Sequence, residues 1–269
     1  MHSDLSPQQV SHPYPPGGLS RYHPGRFADS LLRERYTSIA PADWGAPFGA
    51  IDRHTLASFA ESWDRLVDDR WMGDGGRYRR RRFAAFAVAD GAITRKQHRP
   101  HFQKRAHNRL NGGISRWFSP VERMIGEHVV TSTLLRIGEE LANALIGWAG
   151  CAWHAELHRF RIDASDQIGK PSPEGLHQDG VTAVLMILID RRNVRGGVTM
   201  LVEDGRLVAQ FELASPLQAI VLDDIRLRHT VTPVIACNMG VPARRDALVI
   251  TFRPERNTKS FPLKETSNG

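Results

Sequence analysis

The sequence predicts a mainly β protein, a jelly roll of two sheets with helices packed on one outer face, and three observations lead there. From Ala152 onward, short apolar or alternating runs are separated by turn residues, the texture of an all-β segment. Before it, two stretches repeat apolar residues at helical spacing. The third observation is a His177-Gln178-Asp179 triplet at the head of one predicted strand, with His229 on a later one. Those side chains can meet only if the sheet folds back on itself, as in a cupin-like jelly roll.

Taken in order, residues 1–50 are an N-terminal arm in which Pro13, Pro15, Pro16, Gly17, Gly18, Pro24 and Gly25 punctuate too often for regular structure. Residues 51–256 form a single domain: 51–150 is mostly helical support plus strands, 151–256 is the jelly-roll core, and 257–269 is a C-terminal tail. The first helix is expected over 52–69, where Leu56, Phe59, Trp63, Leu66 and Val67 fall on one stripe and Asp52 is placed to cap it. The basic run Arg77 to Arg82 follows, read as a solvated strand end or basic rim leading into a strand from Phe83 to Val88. A second helix carries Leu134, Ile137, Leu141, Leu145 and Trp148, begins after Thr131 and Ser132, and stops at Gly150. Strands are expected near 153–162, 176–190, 197–202, 207–212, 218–222, 227–234 and 245–253. Asp204-Gly205 closes a tight hairpin, while Asn193 to Gly197 and Asp223-Asp224 mark other turns.

Composition narrows the function classes. A chain of 269 residues that is 41% hydrophobic can bury a sizeable core without a covalent staple. Cys151 and Cys237 are too few for a disulfide framework, and no basic-apolar-small pattern opens the chain at Met1 to Val10, so a reduced, cytoplasmic setting is expected. The longest apolar stretches, Phe83 to Ala89 and Ala183 to Ile189, are far shorter than a bilayer span, so no membrane partner is expected. A net charge of +7 and a pI near 9.9 favour anionic partners without choosing among them. No zinc finger, helix-turn-helix or aromatic platform accompanies the arginine run, so nucleic acid is not the expected partner. A Gly-x-Ser-x-Gly elbow, a phosphate-cradling glycine loop, a dinucleotide fingerprint and a Cys-x-x-Cys pair are absent too, which removes support from hydrolase, kinase and Rossmann readings.

On a strand, alternate residues share a face, so His177 and Asp179 can offer an imidazole and a carboxylate to one metal ion, with His229 as the third ligand. Two histidines and one carboxylate on one side of an octahedron leave the opposite positions open, as non-haem Fe(II) oxygenases require. Spacing alone is weak, since the same triplet stands at His2-Ser3-Asp4. Context separates His177: a Pro173-Glu174-Gly175 turn before it, then Gly180 and the apolar run Val181 to Ile189. The plainer alternative is a satisfied core histidine beside a turn acid. His154 with His158, and His98 with His101, lack a nearby acid in register and read as packing or surface pairs.

The segments His158 to Ile162, Pro171 to Gly180, Gly196-Gly197, Asp223-Asp224, His229 to Pro233 and Arg245 to Val249, in that order, resemble the iron(II)/2-oxoglutarate-dependent dioxygenases. More narrowly, they are similar to the branch containing bacterial free L-amino-acid hydroxylases of the L-isoleucine dioxygenase kind, as are Phe102 to Asn108, Gly112-Gly113 and Arg116. The likeness runs from about Arg79 to Arg253. It implies a double-stranded β-helix in which His177, Asp179 and His229 hold Fe(II). It also implies that 2-oxoglutarate and O2 yield succinate and CO2 while a free L-amino acid or related small molecule is hydroxylated, with ascorbate at most a stimulant and a homodimer compatible.

By family position Arg245 takes the distal carboxylate of 2-oxoglutarate, a role its planar fork suits. Arg244 must then face away, and Arg253, on the face of Arg245, is the reserve. A free amino acid needs a cation and an acid or carbonyl near the barrel mouth. Arg116 and Arg161 are the expected substrate residues, with Glu156, Gln103 and Asn108 as further polar candidates. Two alternatives remain open: the same chemistry on a nucleic acid or protein gripped by the arginine run, and a non-catalytic metal-binding jelly-roll regulatory protein.

Overall fold

In the long strands β3 (Arg79–Ala89), β5 (Trp153–Asp163), β6 (Ala183–Arg192) and β13 (Arg244–Pro254), the pleat turns successive side chains to opposite faces. In the computed structural model, which describes residues 24–255, these strands lie together in one eight-stranded antiparallel sheet. Its order is β1 (Tyr36–Ile39), β10 (Ala219–Asp223), β6, β13, β5, β3 and β2 (Val67–Asp68), with β4 (Ala92–Arg95) paired to β3. A three-stranded sheet, β11 (Arg228–Val231), β8 (Val198–Glu203) and β9 (Arg206–Glu212), and the pair β12 (Val234–Ala236) with β7 (Val194–Gly196) complete the jelly roll. Val184, Met186 and Leu222 of the large sheet pack on Leu201 of β8, so the two sheets face each other. The strand expected over 227–234 divides into β11 and β12 at Pro233, which has no N–H to give a ladder.

The other side of the large sheet is apolar. Phe86 of β3, Leu157 of β5, Ile187 of β6, and Leu248, Ile250 and Phe252 of β13 bury against Leu134, Leu135, Ile137 and Leu141 of helix α5 (Val129–Ile146). The apolar spacing read near 134–148 is thus part of a helix that begins earlier. His128 caps it through Nδ1, which accepts the Val130 N–H, and Gly147 ends it at φ 67.

Two expectations are corrected here. Much of the stretch read as an irregular arm is ordered: α1 (Pro24–Glu34) puts Phe27 and Leu31 in the core, β1 pairs β10, and the Trp44 indole donates to the Leu217 carbonyl at 2.6 Å. Pro24 and Gly25 sit in the first turn of α1, where a missing N–H breaks no helical bond. Residues 1–23 of that arm, and the tail expected over 257–269, lie outside the described residues. The helix expected over 52–69 follows the short α2 (Gly45–Gly49) and is itself short, α3 (Arg53–Glu61), capped by Asp52 through the Thr55 N–H. A 3-10 turn at Ser62–Arg65 then redirects the chain so that β2 can pair β3, held by the Trp63 indole on the Phe160 carbonyl at 3.0 Å. One further short helix, α4 (Arg123–Gly126), precedes α5. Among the described residues no helix is long and apolar enough to cross a membrane.

The tightest seat in the helix-facing core is Gly138 of α5. A Cβ there would lie 2.4 Å from two ring atoms of Phe252. Gly138→Ala is expected to lower stability by about 1–3 kcal/mol through overpacking, less the roughly 1 kcal/mol of helix propensity gained. The urea midpoint measures this, and a raised midpoint would refute the packing described.

Candidate active site

His177 and Asp179 do not share a strand face. Residues 169–177 run along the small sheets, bridged at Gly169 to Val234 and at His177 to His229, whereas β6 in the large sheet begins only at Ala183. Between them the chain crosses from one sheet to the other, with Gly180 at φ 77. Asp224 holds the crossing: one carboxylate oxygen accepts the Asp179 N–H at 2.9 Å, and the other accepts those of Gly180 at 2.8 Å and Val181 at 3.0 Å. The single strand expected over 176–190 is therefore two segments, because a buried carboxylate satisfies amides that a continuous strand would have given to a neighbour.

The residues converge nonetheless. His177 and His229 exchange both backbone hydrogen bonds, at 3.0 and 2.7 Å, which sets their rings 4.4 Å apart. Asp179 faces both rings, with Oδ1 3.7 Å from His177 Nε2 and Oδ2 3.7 Å from His229 Nε2. Gln103 Nε2 donates to Asp179 Oδ1 at 2.9 Å.

This donor set suits a divalent cation. His177 Nδ1 lies 2.9 Å from the Gly175 carbonyl, a contact that takes the proton on Nδ1 and leaves the Nε2 lone pair toward Asp179. Burial, reinforced by His177, pushes His229 down to about 4, so it is neutral at pH 7, as a ligating imidazole must be. Burial raises the Asp179 carboxyl, but the adjacent His229 and His177 outweigh it and hold the group below its ordinary value. Burial and the Asp179 charge push Asp224 up to about 8. A cation on Asp179 would cancel the second push, and the three amide donors favour the ionised Asp224.

These side chains line a cavity between the sheets. Arg245 enters it from β13, buried, with Nε unpartnered among the described residues. Burial and Arg191 push its guanidinium down to about 10, still charged at neutral pH. Gly197, at φ 75, leaves its room, since a Cβ there would stand 3.0 Å from Arg245 Cδ. Arg244 turns to the opposite face, 3.5 Å from Asp190, as alternation requires. Arg253 also lines the cavity, but at the far end of β13, in register with His154.

Of the two expected substrate residues, Arg116 lines the cavity, buried, and donates to Gln103 Oε1 at 2.8 Å. Arg161 does not. On β5 the cavity face carries Glu156, His158, Phe160 and Ile162, so Arg161 points away, where it makes a two-pronged bond to Asp246 at 2.8 and 2.7 Å and reaches Asp64 at 2.8 Å. Burial opposes its charge, but those carboxylates outweigh it and raise the guanidinium above its ordinary value.

The arginine run is not a solvated rim. Arg79 and Arg81 are 5% exposed and line the cavity, while Arg80, on the other face, pairs with exposed Asp68 at 3.4 Å. Three of the four histidines set aside as lacking an acid share one: Glu156 Oε2 lies 2.8 Å from His101 Nδ1 and 3.6 Å from His158 Nε2, and Glu156 Oε1 lies 3.1 Å from His154 Nε2. His101, Glu156 and His158 bring one donor atom each within 4.8 Å of one another, so two groups of metal-ligating type converge among the described residues. In this one, however, the Arg81 guanidinium bonds His158 Nδ1 at 2.6 Å, which puts a positive charge where a second cation would sit. The sequence signal was His154-x-Glu156-x-His158, alternate residues on one strand face.

Comparison with known proteins follows the same lines. A family profile described as 2OG-Fe dioxygenase matches residues 60–251. A protein of Pantoea ananatis, 3(1)-hydroxy-L-isoleucine 4-dioxygenase, is 28% identical over 178 residues, spanning 64% of this chain and 71% of its own. A bsmA homolog from Methylobium petroleophilum superposes with a TM-score of 0.77 at 32% identity, covering 87% of this chain and 94% of that one. IDO from Bacillus thuringiensis shares the fold, with a TM-score of 0.73 at 19% identity over 87% of this chain and 100% of its own.

Burial, reinforced by Arg81 and His101, pushes His158 down to about 3 even though Glu156 opposes it. A depressed pKa contributes stability that is present above the unfolded histidine value of about 6.5 and lost as pH falls through the folded one. His158→Gln should therefore show a shallower loss of stability between pH 6.5 and about 4 than the parent protein. Urea titrations at a series of pH values would reveal it, and parallel profiles would rule out a buried neutral His158.

Proposed function

The chain belongs to the 2OG-Fe dioxygenase family and is an Fe(II)- and 2-oxoglutarate-dependent dioxygenase acting on a small molecule, and from that premise we propose that its substrate is a free L-amino acid or close relative and that His177, Asp179 and His229 hold the iron. The observation that carries the ligand assignment is the Nε2 atoms of two imidazoles turned toward one carboxylate. Likeness to the Pantoea hydroxy-isoleucine dioxygenase supports an amino-acid substrate. So does a cavity lined by both signs of charge, with buried Arg116 on one hand and, on the other, Glu174, whose buried Oε2 has no hydrogen-bond partner among the described residues.

Bound iron(II), with 2-oxoglutarate and O2, supplies the oxidising power to hydroxylate an unactivated C–H bond, 2-oxoglutarate leaving as succinate and CO2. The chain's own residues orient and enclose. Gln103 holds Oδ1 of Asp179, Asp224 fixes the loop that aims it, and Arg245 offers a planar fork to the distal carboxylate of 2-oxoglutarate. Leu213, Val231, Ala247 and Val249 give the same cavity apolar walls that exclude water. We read residues 51–256 as the dioxygenase domain, with α1 and β1 added at the sheet edge. Cys151 and Cys237, both free, fit the reducing cytoplasm.

Succinate formation across a panel of free L-amino acids tests the substrate class, and turnover restricted to peptides or nucleic acids would sink it. In anaerobic titrations with Fe(II) and 2-oxoglutarate, His177→Ala and Asp179→Ala should each lose the charge-transfer band, whereas an unchanged band in both would refute the ligand assignment. Arg245→Ala should raise the 2-oxoglutarate half-saturation by roughly 10- to 150-fold, the loss of a charge-assisted pair of about 1.5–3 kcal/mol. Arg253→Ala should leave it unchanged, and equal effects would exchange their roles.

A further inference from the structure

Arg79, Arg81 and Arg116 form a buried cluster that the iron and 2-oxoglutarate assignments leave unused. Two phenyl rings interleave them. The Arg81 guanidinium carbon lies 3.5 Å from the centre of Phe118 and 4.5 Å from that of Phe160, while Arg116 lies 5.4 Å from Phe118 and Arg79 5.7 Å from Phe160. Stacked in this way, the guanidinium planes are fixed and their edges are what remains to bond.

Few acceptors meet those edges. Asp69 takes Arg79 Nε at 2.8 Å and stands 3.7 Å from Arg81 NH1. His158 takes Arg81 NH2 and Gln103 takes Arg116 NH2. Among the described residues, Arg79 NH2, Arg81 Nε and Arg116 Nε are buried without a hydrogen-bond partner, and only Asp69 bonds the cluster as a carboxylate. Burying unpaired donors on cations is costly, so such a cluster in a cavity wall is completed by an anion from outside.

That anion is not the one assigned to Arg245. Arg79 on β3 and Arg245 on β13 both stand in register with Ile162 of β5, one on each side of it, so their backbones are two strand spacings apart, about 10 Å. The cluster does reach the proposed metal centre: Arg116 bonds Gln103 at 2.8 Å, and Gln103 bonds Asp179 at 2.9 Å. An anion held at Arg116 and Arg81 is thus anchored beside the metal centre and apart from the 2-oxoglutarate residue.

We propose that Arg79, Arg81 and Arg116 form an anion subsite, separate from Arg245, that holds the α-carboxylate of the substrate; this rests on the amino-acid reading above. It makes a free carboxylate strongly preferred. Amides and esters would leave the three guanidinium edges unpaired and bind more weakly.

The test uses the Fe(II)- and 2-oxoglutarate-loaded protein, a panel of free L-amino acids, their primary amides, and the matching carboxylic acids lacking the amine, read by succinate formation and half-saturation. The subsite predicts half-saturation at least roughly tenfold poorer for amides than for acids. It also predicts that Arg116→Gln erases most of that preference while leaving the 2-oxoglutarate half-saturation unchanged, which a merely structural role would not do. Removing Arg81 from between two rings risks the fold, so Arg81→Lys serves only as a second variant, and the wild-type ligand series stands without either. Amides as good as acids, or an Arg116→Gln effect confined to 2-oxoglutarate, would overturn the subsite. If carboxylic acids without the amine are consumed and amino acids are not, the amino-acid reading falls while the subsite survives; if neither acid series yields succinate, both fall.

Discussion

On β3, β5 and β13, a slip of one residue would turn Arg79, Arg81 and Arg245 out of the cavity and bring Phe86, Leu157 and Phe252 into it. Both exchanges are unfavourable: Arg79 and Arg81 would leave Asp69 and the Phe118 and Phe160 rings, and each large apolar side chain would lose about 1.5–3 kcal/mol of burial. The apolar face and the charged face therefore fix one register together, and the antiparallel ladders transmit it across the sheet. The same rule decides which arginines are available for chemistry. Arg159 and Arg161 fall on the helix side of β5 and are consumed by Glu122, Ser62, Asp64 and Asp246, while their neighbours His158 and Phe160 face the cavity.

Period-two patterning makes most of this legible in the sequence alone. The runs that became β5, β8, β9, β10 and β13 were readable because each alternates or is wholly apolar between turn residues, and the helical stripe of α5 needed only its apolar spacing. The chain's pattern does not say which of two faces looks inward. That is why Arg161 was expected in the pocket and Arg79 and Arg81 on a rim: the basic run looked solvated until the sheet placed its alternate members against Phe160 and Phe118. The order in α1 was hidden for a different reason. Proline and glycine at its first turn look like loop punctuation, although a helix start tolerates both.

Asp224 illustrates a limit of another kind. In the sequence it is half of an Asp-Asp turn, and nothing local shows that its carboxylate reaches back across dozens of residues to three consecutive amides. Because an irregular crossing between two sheets leaves backbone donors unpaired, some acceptor must be supplied, and a buried carboxylate can take several at once. The expected His-x-Asp geometry was thus reached without the strand that had been its rationale. A loop pinned at three amides can hold Asp179 as firmly as a pleat would, and it leaves the carboxylate free to face two histidines on the opposite sheet.

The two His/Asp/Glu groups in this cavity contain nearly the same ligand types, so what separates them is the sign of the charge around them. Glu156 is surrounded by donors: His101 and His154 bond it directly, while Lys96 stands on His154 and Arg81 on His158. The negative charge there is already matched, and a divalent ion would have to displace two cations to enter. Around His177, Asp179 and His229 the nearest bonded donor is the neutral amide of Gln103, and a second carboxylate, Asp224, lies behind His229. Asp179, Asp224 and Glu174, the last 3.5 Å from His177 Nε2, have no cation bonded to them among the described residues, an arrangement that a metal ion relieves. The fold therefore supplies two similar ligand sets, and the neighbours of each make the first the one suited to a cation and the second a polar wall of the cavity.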